Sequence, residues 1–410
     1  MSVETHRAEL VDQSLSMPRR FRALFTLRSI GGDDAVAALL GAMTDDPSAL
    51  FRHEVAFALG QMQAPGAVGV LKRVLRDATD DEMVRHECAE ALGAIATEEC
   101  VDALRDACVD GCRVVRETAT LAMRRLEHAR AKRGETKDAA NDAPASKTLG
   151  STKERLSAPA PDAAAPAPAN GAPRDGVDAD SPYLSVDPVP AAPASVPSDA
   201  LTAVLLDESA DMWDRYGAMF ALRNRGDGPG VARTLGEVLG SSRSALLKHE
   251  ACYVLGQLQE ADATARASLV RTLEDVREHP MVRHEAAEAI GSIAAPETEH
   301  LLRKYAGDGD RIVAESCEVA LDIMSAEMSG EFVPLAAACG EAHPNHRTPA
   351  HGTLSPCCCT PRPAYALTGL SCHARPSGGQ YGISRHQCEC LVMVIQAERT
   401  AAVALVIAEQ

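Results

Sequence analysis

Aromatic side chains make up 3% of the sequence and there is a single tryptophan. A sheet sandwich built on large rings is therefore a poor fit, and the abundance of Ala, Leu and Val suits helices packed through small side chains. No uninterrupted apolar run reaches the roughly 18 residues of a membrane span. The best candidate, 391–408, is broken by Gln396, Glu398 and Arg399. The first thirteen residues are polar and mixed in charge, without the apolar core of a secretory peptide, so the cytosol is the default location. Positive charge is also short: the net charge of −17 argues against nucleic acid and for a basic partner or substrate. Nucleotide, nicotinamide and flavin chemistry find no support, since there is no P-loop and no G-x-G-x-x-G opening a helix. A nucleophile elbow is missing too.

The chain has 410 residues, enough for two domains of ordinary size, and divides into four parts. Residues 1–128 carry helical periodicity in short segments separated by Gly, Pro or Asp turns. One helix is expected from Asp46-Pro47 through Phe51, Val55, Leu59 and Met62, another from Thr79 through Val84, Leu92 and Ile95, with 67–75 as a partner between them. A helical pair recurring every 33 residues or so is the mark of an all-α solenoid of stacked repeats. From 129 to 196 Ala, Pro, Asp and Ser crowd together and periodicity stops, which reads as a disordered linker unable to fix how its neighbours face each other. Residues 197–328 repeat the first part: Arg20-Phe21 aligns with Arg215-Tyr216, and the run from Arg113 aligns with that from Arg311. Each half then holds about four helical pairs. The remainder, 329–410, matches nothing upstream and contains seven of the thirteen cysteines. It lacks C-x2-C pairs at finger spacing, so no zinc site or activity is placed there. The six cysteines of the halves show no paired spacing and read as reduced.

One motif is written four times. His53-Glu54, His86-Glu87, His249-Glu250 and His284-Glu285 are each followed by Leu or Ile at the sixth position after the His and by Gly at the seventh. They fall in the second and third repeats of each half, and no other His-Glu dipeptide occurs. A zinc-protease helix is excluded, because the residues four after each His are Phe57, Glu90, Tyr253 and Glu288 where H-E-x-x-H needs a second His. Ferritin-like bundles use Glu-x-x-His instead. The Leu or Ile and the Gly belong where one helix packs on the next, and the basic residues before each His (Arg52, Arg85, Lys248, Arg283) either orient a carboxylate or face solvent. Stacking sets equivalent residues of neighbouring repeats side by side, so His53 could share an ion with His86, and His249 with His284. Two imidazoles plus a carboxylate leave positions open, the ligand pattern of dioxygen-activating non-haem iron. A copied structural His-Glu pair is the competing reading, but the first and fourth repeats of each half do without it.

Two tetrads of repeats, each with two H-E-x4-[LI]-G motifs and joined by a variable linker, resemble the deoxyhypusine hydroxylase family over residues 19 to about 326 outside the linker. The resemblance implies HEAT-like repeats and a di-iron centre that uses dioxygen to hydroxylate the deoxyhypusine side chain of translation initiation factor 5A. It further implies that His53 and His86 hold one iron with Glu250, and His249 and His284 the second with Glu54. By the same resemblance Glu87 and Glu285 would serve as further ligands or as anchors for the substrate amine. The expected protein is a cytoplasmic monomer supplied by an external electron donor, bound to neither nucleic acid nor membrane. A metal-free HEAT-repeat scaffold and a phycobilin-lyase-like repeat protein are the alternatives.

Overall fold

The computed structural model describes residues 2–132, 134, 181–183, 185–226, 228–259 and 262–329. The first half contains α1 (Val3–Val11), α2 (Met17–Ile30), α3 (Gly32–Asp45), α4 (Ala49–Gln61), α5 (Val68–Arg76), α6 (Glu82–Ile95), α7 (Val101–Ala107) and α8 (Arg113–Lys132). The second contains α9 (Ser198–Leu206), α10 (Met212–Arg225), α11 (Pro229–Ser241), α12 (Ala245–Leu258), α13 (Ala263–Glu274), α14 (Pro280–Ile293), α15 (Glu299–Tyr305) and α16 (Arg311–Ser329). The eight helices of each half are four pairs, as the periodicity requires, and no strand occurs among the described residues. No helix there is long and apolar enough to cross a membrane.

Even-numbered helices form the inner row. Within it α4 packs on α6 and α6 on α8, and likewise α12 on α14 and α14 on α16. The motif glycines explain how closely: a Cβ on Gly93 would lie 2.7 Å from the Ala122 Cβ, and one on Gly60 2.8 Å from the Ala91 Cα. Gly291 meets Ala320 in the same way, at 2.6 Å from its carbonyl oxygen. Small residues thus bring inner helices to backbone contact, which suits a core poor in rings.

An arginine recurs at the start of inner helices and ties each to the outer helix before it. Arg20, Arg85, Arg215 and Arg283 are all buried, and their Nε atoms donate to Leu10, Leu75, Leu205 and Leu273 carbonyls at 2.9–3.1 Å. Those carbonyls end helices and would otherwise lack partners. The guanidinium ends pair with Asp46, Asp110, Glu208 and Asp308. Arg52 and Lys248 likewise pair with Asp80 and Glu278. All four basic residues preceding the motif histidines are therefore used between repeats. Helix starts fall slightly later than the sequence suggested: Asp46 is taken by Arg20 and by the Ser48 N–H, so Ser48, whose hydroxyl accepts from Phe51 N, caps α4. Asp81 caps α6 in the same manner.

The two halves touch directly. α16 lies against α2 and α4, and α8 against α12. Pseudo-twofold contacts fasten them: Ser48 donates to Glu315 at 2.5 Å and Ser244 to Glu117 at 2.8 Å. Arg311 and Arg113 reach the Pro47 and Arg243 carbonyls, and Arg22 forms a two-pronged pair with Asp322 at 2.5 and 3.0 Å.

The segment expected to be an unstructured linker has structured ends. Residues 129–132 continue α8, and much of 181–196 is packed, with Ser185, Val186, Asp187 and Val189 buried. Apolar and hydrogen-bonding residues hidden in an Ala/Pro-biased stretch account for the difference. Residues 135–180 and the tail from 330 onward lie outside the described residues. Cys88, Cys100, Cys252 and Cys317 are buried free thiols, with Cys108 and Cys112 partly exposed, in keeping with the reduced reading.

Candidate metal centre

The four motif histidines are the fifth residues of α4, α6, α12 and α14, the adjacent inner helices of repeats two and three in both halves. Because the halves face each other, the four rings meet. Ring centroids are 5.4 Å apart for His53–His86 and 5.2 Å for His249–His284 within the halves. Across the halves they are 5.3 Å for His53–His284 and 5.5 Å for His86–His249. His86 and His284 are fully buried, and His53 and His249 nearly so.

Carboxylates surround the rings. The Glu54 Oε1 lies 3.2 Å from His53 Nδ1, and Glu87 Oε2 3.3 Å from His53 Nε2. In the other half Glu285 Oε2 stands 3.4 Å from His249 Nε2 and 3.8 Å from His284 Nε2. Glu250 and Glu54 are buried and line the same cavity. All eight residues singled out in the sequence are thus in one site. Three groups have ligand atoms within 4.8 Å of one another: His53, His86 and His249; His249, His284 and Glu285; and His86, Glu87 and Glu90. The resemblance implied crossed sets with Glu250 and Glu54. The carboxylates within 3.4 Å of the His53 and His249 rings, Glu54, Glu87 and Glu285, belong to the same half as the ring.

Burial governs the charge states. It opposes protonation of His53, yet the adjoining Glu54 and Glu87 outweigh it and hold that imidazole well above its usual value. Burial and the neighbouring imidazoles hold His86, His249 and His284 well below theirs. Burial, reinforced by nearby carboxylates, raises Glu250, Glu90 and Glu288 well above the ordinary range and Glu285 to about 8. Seven ring nitrogens, His53 Nε2 and both nitrogens of His86, His249 and His284, have no hydrogen-bond partner. Buried polar atoms left so are costly and uncommon in a stable interior. Cations bound by the one lone pair that each neutral ring offers, with the crowded carboxylates neutralised beside them, reduce both penalties, so the residues present fit metal ions.

The residues four after each His, considered in the sequence only to exclude a protease motif, lie one turn further along the inner helices and line the cavity. Phe57 and Tyr253 form an edge-to-face pair at 6.1 Å, and Glu90 and Glu288 flank it. The i, i+4 relation to a motif histidine was the available signal. A second unforeseen component is the strap Ser185–Pro188 along the cavity wall. Its Val186 exchanges hydrogen bonds with the Gln61 side chain at 2.8 and 3.3 Å. Asp187 forms a pair with Arg223 at 2.5 and 3.0 Å, and its carbonyl accepts from Arg125. Gln257, the counterpart of Gln61, accepts from Arg223 at 2.9 Å.

Fold and site together define a HEAT-repeat protein whose duplicated halves enclose a histidine- and carboxylate-lined centre suited to metal. A family model described as HEAT repeats matches residues 10–83 and 232–322, and one described as PBS lyase HEAT-like repeat matches 84–110. The sequence is 42% identical to deoxyhypusine hydroxylase of Rattus norvegicus over 80% of this chain and 94% of the relative. It is 42% identical to deoxyhypusine hydroxylase-B of Oryza sativa subsp. japonica over 78% and 92%. The solved structure of human deoxyhypusine hydroxylase in complex with glycerol superposes with a TM-score of 0.64 at 41% identity, covering 79% of this chain and 96% of that one. The chain belongs to the deoxyhypusine hydroxylase family.

Proposed function

We propose that this protein hydroxylates the deoxyhypusine side chain of translation initiation factor 5A, completing hypusine, at two iron ions held by His53, Glu54, His86, Glu87, His249, Glu250, His284 and Glu285. The observation that carries the reading is the meeting of four buried imidazoles, seven of whose nitrogens lack hydrogen bonds, with the four motif carboxylates. A bare interaction scaffold has no use for such a buried cluster, since solenoids bind partners on exposed surfaces.

Insertion of oxygen into an aliphatic C–H bond requires an oxidant beyond any side chain, and paired iron with dioxygen supplies that chemistry when bound. One oxygen atom enters the C–H bond and the other leaves as water, which consumes two electrons and two protons. With no flavin or nicotinamide motif in the sequence, the electrons come from an external donor. The protein's part is position and field. Neutral His86, His249 and His284 present lone pairs inward, the acidic walls attract a cationic amine chain, and inner helices at backbone contact keep bulk water out. Because duplication supplies both halves in one chain, the site is complete in a monomer, and its substrate places it in the cytosol. The test is direct: purify the protein, count iron, and assay factor 5A carrying deoxyhypusine. About two irons per chain and conversion to hypusine are expected. A protein loaded with iron that leaves deoxyhypusine untouched overturns the reading.

A further inference from the structure

The site is built twice, but its two ends differ. Glu90 and Glu288 occupy equivalent positions in the two halves. Glu90 is partly exposed, and it lies within the influence of Arg125 and of Asp187 on the strap. Glu288 is only 7% exposed. Where the first half has Arg125, the second has Ile323, and where the first has Ala94 the second has Ser292. Ile323 and Ser292 are both buried and close the cavity beside Glu288. Glu288 Oε1 has no hydrogen-bond partner, and the neutral ring of His284 presents its Nδ1 to it at 3.7 Å. The two ends of the cavity therefore differ, Glu90 beside the strap being partly exposed and Glu288 enclosed, with Phe57 and Tyr253 also in the lining.

Deoxyhypusine is a lysine extended by an aminobutyl group, so it carries a secondary amine within the chain and a primary ammonium at its tip. A twofold site cannot tell these apart, whereas the two unlike ends can. We propose, on the strength of the function argued above, that the substrate side chain enters beside Glu90, runs along Phe57 and Tyr253, and places its terminal ammonium on Glu288. The secondary amine then stays at the mouth near Glu90, and the carbons between the two nitrogens are held over the metal centre. A carboxylate at the enclosed end acts as a depth stop: only a chain with a cation at its tip offsets the cost of filling that end. Aromatic faces along the way suit the methylenes and the passing charge.

The rival role for Glu288 is to orient His284, and the experiment separates the two. Iron-loaded full-length protein and its Glu288→Gln variant are assayed on factor 5A carrying deoxyhypusine and on the same factor carrying N-butyl-lysine, which keeps the secondary amine and lacks the terminal one. The unaltered protein is expected to prefer deoxyhypusine by roughly 100-fold in kcat/KM, the scale of a lost buried charge pair. In Glu288→Gln that preference falls to a few-fold with iron content intact. Glu90→Gln, which faces the amine common to both substrates, lowers kcat/KM for both alike and keeps the preference. A Glu288→Gln protein that retains the full preference, or that loses its iron, overturns the assignment. If the unaltered protein hydroxylates neither substrate, the function itself fails.

Discussion

At the scale of single residues, the centre is a problem of protons. Three imidazoles are held neutral by burial and by one another, so they receive an ion without losing a proton. His53 differs, kept protonated by Glu54 and Glu87, and Glu285 is protonated up to about 8. Loading the site must displace protons from these two and from Glu250, whose carboxyl burial also raises, so affinity rises with pH. Between about pH 6 and pH 8 the binding of cobalt(II), used as an air-stable probe, should tighten by about tenfold per unit for each proton displaced. An affinity flat across that range would contradict this account. His284 gives a second test, being fully buried with neither nitrogen hydrogen-bonded. His284→Ala is expected to retain less than one iron per chain and to lose activity by more than about 100-fold, beyond the cost of disturbing a group that merely supports a ligand. Full iron content in that variant, measured by metal analysis, would remove His284 from the centre.

At the scale of elements, the histidine helices end in the same register. Gly60, Gly93 and Gly291 lie against the next inner helix, and in all four the tenth residue after the His (Gln63, Ala96, Gln259 or Ala294) takes a left-handed conformation with φ of 49–53°. Side chains other than glycine adopt that conformation at a cost. Gln63 and Gln259 repay some of it by donating to the Ala94 and Ser292 carbonyls at 2.9 and 3.3 Å. Two opposite substitutions three residues apart should therefore act against helix propensity. Gly93→Ala drives a Cβ to 2.9 Å from the Ala122 Cα and should destabilise by about 1–3 kcal/mol. Ala96→Gly relieves φ +53° and should raise stability by up to about 1 kcal/mol. Thermal unfolding of the metal-free proteins checks both, and a Tm higher for Gly93→Ala than for Ala96→Gly would refute the packing argument. Helix number, repeat period and the eight His-Glu side chains were legible in the sequence because periodicity and duplication are one-dimensional signals. Glu90 and Glu288 were passed over, since a residue four along from a histidine lines the same cavity only once the opposing half is in place.

At the scale of the whole molecule, the relation between the halves was least legible. The sequence suggested a loose linker unable to fix how they face each other. Direct contacts join them instead: Ser48 to Glu315, Ser244 to Glu117 and Arg22 to Asp322. The strap adds to these, because Gln61 and Arg125 of the first half and Arg223 of the second all bind Val186 or Asp187. Those partners are remote in sequence from a strap embedded in Ala/Pro-rich composition, so nothing local announces it. None of these contacts involves residues 135–180. Fragments 1–134 and 181–410, produced separately and mixed, should therefore associate, take up iron and hydroxylate substrate. The Gln61 side chain of the first fragment exchanges two hydrogen bonds with the Val186 backbone of the second, and Gln61→Ala would leave those buried groups unpartnered at a cost of about 1–3 kcal/mol. In the first fragment that substitution should weaken association by roughly tenfold or more, measured by titration calorimetry. Fragments that fail to associate would show that covalent continuity through 135–180 is required. Equal association with and without the Gln61 side chain would show that the strap lines the cavity without holding the halves, leaving the pseudo-twofold contacts of α8 and α16 to do so alone.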